Sequence, residues 1–389
     1  MKAAKDFING LLSRSGQLVG AQDDFAKSLQ DWVKLAAPDE IGSRTEAIKR
    51  IIEARNDKKI ELSLSGLRLS SIPEQIGNLA DLVSLNLGSN QLTTIPAEIG
   101  NLTALTRLDL CSNQINTLPA EIGNLTALKN LNLRSNQLET IPVEIGSLAS
   151  LTNLDLGSNR LTTIPAEIGD LTALTNLNLG FNRLDTVPAE TGNLVALTNL
   201  DLGSNRLAIF PAEIGNFTAL KILGLSLNQL KTLPEEIGNL TALESLNLYG
   251  NQLTTLPTKI GNLVVLKLLD LRFNQLNTLP AKIGNLAALK GLNIYGNQLT
   301  TLPKEIGNLT ALTNLNLGSS KLTTIPDSLL NPPEGLHRSI NLQVNPISTD
   351  EVIRLSALAR ARGVALNMSI QDSDADQVKY LWQPTEHNS

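Results

Sequence analysis

A proline recurs every 23 residues over most of this 389-residue chain. The twelve prolines in this register are Pro73, Pro96, Pro119, Pro142, Pro165, Pro188, Pro211, Pro234, Pro257, Pro280, Pro303 and Pro326. The sequence between them is nearly constant, and residues 82–104 read LVSLNLGSNQLTTIPAEIGNLTA. Similarity at a fixed period of this length indicates a repeat array, in which each repeat is one unit stacked on the next.

The apolar positions within a repeat predict its local structure. Leu85 and Leu87 alternate with polar residues, which is the pattern of a strand. Further apolar residues follow at spacings that fit neither one strand nor one helix face. We therefore expect each repeat to coil once, with a strand on one side and a short turn or helix on the other. A buried apolar side chain contributes roughly 1.5–3 kcal/mol, and stacking supplies the cover that one repeat lacks.

A glycine and an asparagine recur in the same 23-residue register as the prolines. Pro96 is expected to preset the first helical position of the short turn, and Gly100 to end that turn as a left-handed cap. An asparagine follows each strand, and its buried side chain is expected to bond the backbone of its own and adjacent coils. We therefore interpret this column as structural. Its members are Asn90, Asn113, Asn136, Asn159, Asn182, Asn205, Asn228, Asn251, Asn274 and Asn297.

The repeat resembles the leucine-rich repeat in its longer, intracellular, proline-containing form. The resemblance extends over residues 59–346. It implies an α/β fold, namely a right-handed leucine-rich repeat solenoid or horseshoe of about 13 coils with a parallel, concave sheet. We expect three parts: an N-terminal helical segment and cap (1–58), the array (59–346), and a C-terminal capping helix, short strand and tail (347–389).

The two ends of the array are predicted to carry helical caps. Helices are expected over 22–35 and 43–56 before the repeats and over 349–362 after them. Thr349 is the expected N-cap of the last helix. A further short strand is expected around residues 364–368.

The segment from Trp32 to Pro73 is similar to the region ahead of the repeats in bacterial type III-secreted leucine-rich effectors, including the novel E3-ligase family. This resemblance implies an effector that acts in the cytoplasm of a host cell. Those ligases use a nucleophilic cysteine beyond their repeats, whereas the single cysteine here is Cys111. A ubiquitin-ligase effector, or a truncated relative of one, therefore stays an alternative. A Ras-pathway-type scaffold is another, because the repeat also resembles that intracellular group.

Composition restricts the compartment and the partners. One cysteine allows no internal disulfide, which favours an intracellular, reducing compartment. No apolar run is long enough for a membrane helix, and the N-terminus lacks the apolar core of a Sec signal peptide. A net charge of −5 with 3% aromatic residues argues against nucleic-acid binding. We expect a monomer that binds a protein partner.

Searches for catalytic and metal-binding patterns give no candidate. Asp372, Asp374 and Asp376 are spaced like a calcium loop, but the glycine and the final glutamate of such a loop are missing. Two histidines and one cysteine cannot build an ordinary zinc site. Cys111 is interpreted as an inert thiol because no basic residue accompanies it. We expect a non-enzymatic protein without cofactor or metal.

Repeats eight to eleven depart from the polar pattern of the outward-facing strand positions. Apolar and aromatic residues at such positions suggest a binding hot spot. Lys221, Lys267 and Lys290, which we call the lysine row, suggest an acidic partner. The alternative interpretation is neutral drift between duplicated repeats. The predicted partner-binding residues are Lys221, Ile222, Leu227, Tyr249, Lys267, Leu268, Arg272, Phe273, Lys290 and Tyr295.

Overall fold

The computed structural model describes residues 24–368, so the predicted tail and the Asp372–Asp376 pattern lie outside the described residues. Two compact units are distinguished, one ending at Asn205 and the other beginning at Arg206. Each unit repeats the same coil, which consists of a three-residue strand followed by a short 3₁₀ helix. The predicted strand and short turn in each 23 residues are confirmed.

The first unit contains two α-helices and the parallel strands β1–β7. Its helices are α1 (Asp24–Lys34) and α2 (Ile41–Asn56), close to the predicted ranges. Neighbouring strands pair in register with an offset of one repeat, so that Leu131 of β4 lies beside Leu154 of β5. The strands are Glu61–Ser63, Ser84–Asn86, Arg107–Asp109, Asn130–Asn132, Asn153–Asp155, Asn176–Asn178 and Asn199–Asp201. The 3₁₀ helices are Glu74–Asn78, Ala97–Asn101, Ala120–Asn124, Val143–Ser147, Ala166–Asp170 and Ala189–Asn193.

The second unit contains the parallel strands β8–β14 and one α-helix, α3 (Thr349–Ala361). The Ser348 hydroxyl accepts a hydrogen bond from the backbone N–H of Glu351, so the N-cap is Ser348 and not Thr349. The strands are Ile222–Gly224, Ser245–Asn247, Leu268–Asp270, Gly291–Asn293, Asn314–Asn316, Ser339–Asn341 and Ala365–Asn367. The 3₁₀ helices are Ala212–Asn216, Glu235–Asn239, Thr258–Asn262, Ala281–Asn285, Lys304–Asn308 and Asp327–Leu330.

Leucine and isoleucine fill the interior of every coil. In β5 the pattern is exposed, buried, half-buried, with Leu154 pointing inward. Leu156 and Leu161 of the same coil have no exposed surface. Because each coil covers the apolar side chains of its neighbour, burial depends on stacking rather than on the single repeat.

The asparagine column joins successive coils, as predicted. The Asn159 Nδ2 donates to the Leu133 and Leu156 carbonyls, each at 3.0 Å, and its Oδ1 accepts from the Leu138 N–H at 3.1 Å. Leu133 and Leu138 belong to the preceding coil. The side chain therefore satisfies buried backbone groups of two coils at once, which would otherwise be left unpaired at a cost of about 1–3 kcal/mol each.

The structure corrects two predictions about the turn. Pro96 has φ −71° and ψ 152° and precedes the 3₁₀ helix, so it is not the first helical residue. Gly100 does not adopt positive φ, so it is not a left-handed cap. Instead, a Cβ at Gly100 would lie 2.5 Å from the carbonyl oxygen of Glu121 in the next coil. Glycine is needed here because the backbones of adjacent coils approach too closely for a side chain.

A buried ion pair holds the N-terminal helices against the first repeat. Arg44 of α2 donates to Glu40 at 3.0 Å, and both side chains are buried. Glu40 also accepts from the backbone N–H of Ser70 at 2.6 Å, while Trp32 Nε1 donates to Ser71 Oγ at 3.0 Å. Burial raises the pKa of Glu40, but the bonds from Arg44 and Ser70 outweigh it and hold that pKa below its usual value.

In the second unit, Arg338 fixes the irregular coil that precedes β13. Its guanidinium is buried and donates to the backbone carbonyls of Leu309, Leu312 and Leu329. Burial lowers the pKa of this guanidinium. Because all three acceptors are backbone carbonyls, the Arg338 side chain connects successive coils by hydrogen bonds, as the buried asparagines do.

Replacing Gly100 by alanine should destabilise the first unit. The added methyl group must displace the Glu121 backbone, and overpacking of this kind costs about 1–3 kcal/mol. Urea unfolding followed by circular dichroism should give a lower midpoint with an unchanged slope. Gly42→Ala is the matched control, because nothing lies within 4 Å of a Cβ at that helical position. An equal loss from both variants would contradict the close-approach explanation.

Acidification should loosen the N-terminal cap through Glu40. Its folded-state pKa lies below the unfolded value of about 4.3, so its contribution is present above that value and is lost as pH falls through the folded pKa. The measurement is the urea midpoint of Trp32 fluorescence in a Trp382→Phe background, at pH 6 and at pH 3.5. Between pH 6 and pH 3.5, the urea midpoint of the Trp382→Phe protein should fall by more than that of the Trp382→Phe, Glu40→Gln protein. Equal decreases would exclude Glu40 as the titrating group.

Candidate functional site

The outward-facing side chains of the second unit form what we call the strand face. The coil of β10 contributes five residues to this face. Lys267 lies just before the strand, Leu268 and Asp270 lie in it, and Arg272 and Phe273 come after it. The corresponding positions of other coils continue these five columns, since adjacent strands pair in register. All ten predicted partner-binding residues lie on this face around β8–β11, and each is exposed or half-buried.

Three aromatic rings from successive coils form an edge-to-face row, which we call the aromatic ladder. The ring centroids of Tyr249 and Phe273 are 5.6 Å apart, and those of Phe273 and Tyr295 are 5.4 Å apart. Phe273 is 50% exposed. Such pairs contribute about 0.5–1.5 kcal/mol each, so the ladder is ordered while much of its apolar surface stays in water.

Leu227 and Phe273 have a left-handed backbone, with φ of 53° and 52°. This conformation belongs to the repeat, because the serines at the same position of other coils, such as Ser158 and Ser319, are also left-handed. The Phe273 N–H donates to the Tyr295 carbonyl at 2.8 Å, which holds the backbone in place. Glycine follows in the same column of each next coil: Cβ atoms at Gly250 and Gly296 would lie 2.8 Å from Leu227 and 2.9 Å from Phe273.

Two of the four predicted cationic residues are already paired within the chain. Lys267 contacts Glu244 at 2.6 Å, and that hydrogen bond lowers the pKa of Glu244. Arg272 contacts Asp270 at 2.6 Å and lies 5.0 Å from the Tyr249 ring centroid. The bond to Asp270 raises the pKa of Arg272. Within residues 24–368, the other two, Lys221 and Lys290, have no ion pair.

A depression of about 500 Å³ opens on the strand face over β9–β13. Of the predicted residues, only Leu268 is among those of the described chain that line it. Its other side chains are mostly amides and hydroxyls, and Gly291 provides a floor without a side chain. A Cβ at Gly291 would lie 3.0 Å from Leu268 Cδ2. In sequence, the three residues of the aromatic ladder come just after β9, β10 and β11, which line the depression. Lys267 and Lys290 of the lysine row come just before β10 and β11.

Sequence reasoning missed most of this lining. The residues concerned are Ser245, Asn247, Asp270, Gly291, Asn293, Asn314, Asn316, Ser339 and Asn341. Most of these residues are of the polar types found at the same positions throughout the array, so nothing in the sequence distinguished them as a site. Gly291 was a detectable signal, because the same position of the other strands in this unit holds isoleucine, serine, leucine, asparagine or alanine.

The first unit presents a different strand face. Its centre column alternates amide and carboxylate, with Asp109, Asp155 and Asp201 on every second strand. Phe181 is 61% exposed and is also left-handed, with φ 57°. The face therefore carries carboxylates, each of which accepts one backbone N–H, and a single exposed phenylalanine rather than a ladder.

The described residues offer little for catalysis or metal binding. Burial raises the pKa of the Cys111 thiol, and the nearby Asp109 adds to the rise, which disfavours the thiolate. Residues 24–368 contain no group of three or more histidine, cysteine, aspartate or glutamate side chains that could hold a metal ion. No helix within that range is long and apolar enough to cross a membrane.

Comparisons with known proteins identify the family. The leucine-rich repeat region family matches residues 61–135, 120–209, 205–295 and 235–354. A leucine-rich repeat protein of Leptospira interrogans is 34% identical over 81% of this chain and 97% of its own, with a TM-score of 0.54. No match was found among proteins with curated functions.

Two further bacterial structures share the fold. An internalin of Listeria monocytogenes is 24% identical over 90% of this chain and 96% of its own, with a TM-score of 0.68. YopM, a leucine-rich effector protein of Yersinia pestis, is 24% identical over 90% and 100%, with a TM-score of 0.57. The repeat, its coil and these matches agree, and the chain belongs to the leucine-rich repeat proteins.

Proposed function

We propose that the strand face of the second unit, centred on the aromatic ladder, binds a partner protein. The observation that carries this proposal is the ladder itself. Phe273 is half-exposed and fills no core, yet its ring packs against the rings of Tyr249 and Tyr295. Aromatic residues dominate binding hot spots. Neutral drift gives no reason for three successive coils to supply touching rings.

The proposed role is that of a non-enzymatic binding module. Leucine-rich repeat arrays provide extended surfaces for recognition. The lysine row favours a partner with acidic side chains, because Lys221 and Lys290 have no ion pair within residues 24–368. No feature of the described site favours the ubiquitin-ligase or Ras-pathway alternative over simple binding.

The finer proposal is a bacterial effector that acts inside a host cell, in a reducing compartment. It is supported by the resemblance of the segment from Trp32 to Pro73 to type III-secreted leucine-rich effectors. The fold similarity to YopM is compatible with it. The single cysteine fits a protein that works where disulfides do not form.

Reversion of the ladder to the serine of other repeats tests the binding site. The triple variant Tyr249→Ser, Phe273→Ser and Tyr295→Ser introduces residues that occupy these columns elsewhere, as Ser226 and Ser319 do. A protein captured from host extract by the wild-type chain should bind this variant at least about 30-fold more weakly, as loss of a hot spot predicts.

Phe181→Ser is the matched control, because it also removes an exposed, left-handed aromatic side chain but from the first unit. It should leave the affinity unchanged, and both variants should retain cooperative melting. Unchanged capture by the folded triple variant would overturn the proposed site.

A further inference from the structure

Three asparagines on successive strands point their donors out of the protein. The Oδ1 atoms of Asn293, Asn316 and Asn341 accept the backbone N–H two residues further on, at 3.3, 3.2 and 3.0 Å. An N–H can only be accepted by the oxygen, so the orientation of each amide is fixed. Their Nδ2 groups have no acceptor among residues 24–368. We call these three residues the amide row.

The amide row lines the depression, and among the described residues that line it Asp270 is the only carboxylate. Both oxygens of Asp270 are occupied, because Arg272 Nε donates to each at 3.0 Å and Arg272 Nη2 donates to Oδ2 at 2.6 Å. The charge of Asp270 is thereby neutralised. Lys290 stands one residue before β11 and has no ion pair within the described residues. Donors and positive charge therefore dominate this part of the strand face.

The preferred ligand group is an acceptor with negative charge. A carboxylate has two oxygens and about four lone-pair sites, and adjacent strands stand about 4.8 Å apart. One carboxylate can thus accept from amides on two neighbouring strands. Gly291 adds no side chain of its own to the depression, and the Leu268 side chain packs beside it, with Cδ2 3.0 Å from the position of a Cβ there.

We propose that the depression binds an acidic segment of a protein partner, with a carboxylate seated against the amide row. This inference rests on the proposed function and specifies the chemistry that the strand face recognises. The segment is aspartate- or glutamate-rich polypeptide, and it lies between the lysine row and the aromatic ladder.

The first unit offers a less favourable surface to an acidic segment. In the first unit the same column carries Asp109, Asp155 and Asp201, whose carboxylates would repel an acidic segment. A nucleic acid is the less favourable polyanion, because its binding depends on neutralising many phosphates with lysine and arginine. The depression offers neutral amides and one nearby unpaired lysine, and the chain has a net charge of −5.

The test uses the full chain and a fluorescein-labelled hexaglutamate peptide, followed by fluorescence anisotropy at low ionic strength. The variant is Asn293→Asp with Asn316→Asp, which converts two donors into acceptors. Aspartate keeps the oxygen that accepts the backbone N–H, as Asp109 does for Cys111 at 3.0 Å. The matched control is Asn132→Asp with Asn178→Asp, which makes the same change in the same column of the first unit.

The wild-type chain should bind hexaglutamate at least about tenfold more tightly than hexaglutamine, since the charged acceptor forms the stronger hydrogen bonds. The Asn293→Asp, Asn316→Asp variant should lose about tenfold or more in affinity, whereas the control should stay within about twofold. Equal losses in both variants, no preference over hexaglutamine, or tighter binding of an oligouridine would each overturn the proposal.

The two proposals fail separately. If hexaglutamate does not bind but the ladder variant still loses its captured partner, the acidic-segment inference is wrong and the binding site stands. If hexaglutamate binds through the amide row but ladder reversion leaves capture unchanged, the role of the ladder is wrong.

Discussion

The buried asparagine of each coil is the interaction on which the structure depends. Beyond the three-residue strands the backbone turns repeatedly, and leucines pack against it on the inside, where its polar groups need partners. In the first unit Asn159 satisfies groups of its own and the preceding coil. In the second unit Asn274 does the same through Leu248, Leu253 and Leu271. A buried polar group without such partners would be expensive, so the interior of the repeat has little freedom to change.

This constraint leaves variation to the outward-facing positions. On the strand face a substitution neither opens a cavity nor breaks the asparagine bonds, and so the face can acquire recognition residues at small cost to the fold. Leu227 and Phe273, for example, occupy a position that is left-handed in other coils as well, where it holds serine. Glycine at the same position of the next coil gives each of them space to pack. Stability and recognition are therefore adjusted on different sides of the same coil.

The sequence predicted the parts of the structure that depend on periodicity. The proline register gave the coil, and the apolar stripes gave both N-terminal helices within two residues at each end. It also placed the ten candidate residues on one face.

The role of Gly100 was mispredicted because it depends on the backbone of the next coil, which no single repeat contains. The pairing of Arg272 with Asp270 and the orientation of the amide row were inaccessible for a similar reason. They follow from side-chain geometry at the strand ends, not from residue type.

Photocrosslinking tests most directly whether recognition belongs to the strand face of the second unit. Benzoylphenylalanine would replace, one at a time, Phe273 on that face, Phe181 on the face of the first unit, and Ala281, which is exposed on a 3₁₀ helix of the second unit. With the captured partner present, we expect a crosslink from position 273 and none from positions 181 and 281. Crosslinking from either of those positions, with position 273 silent, would contradict it.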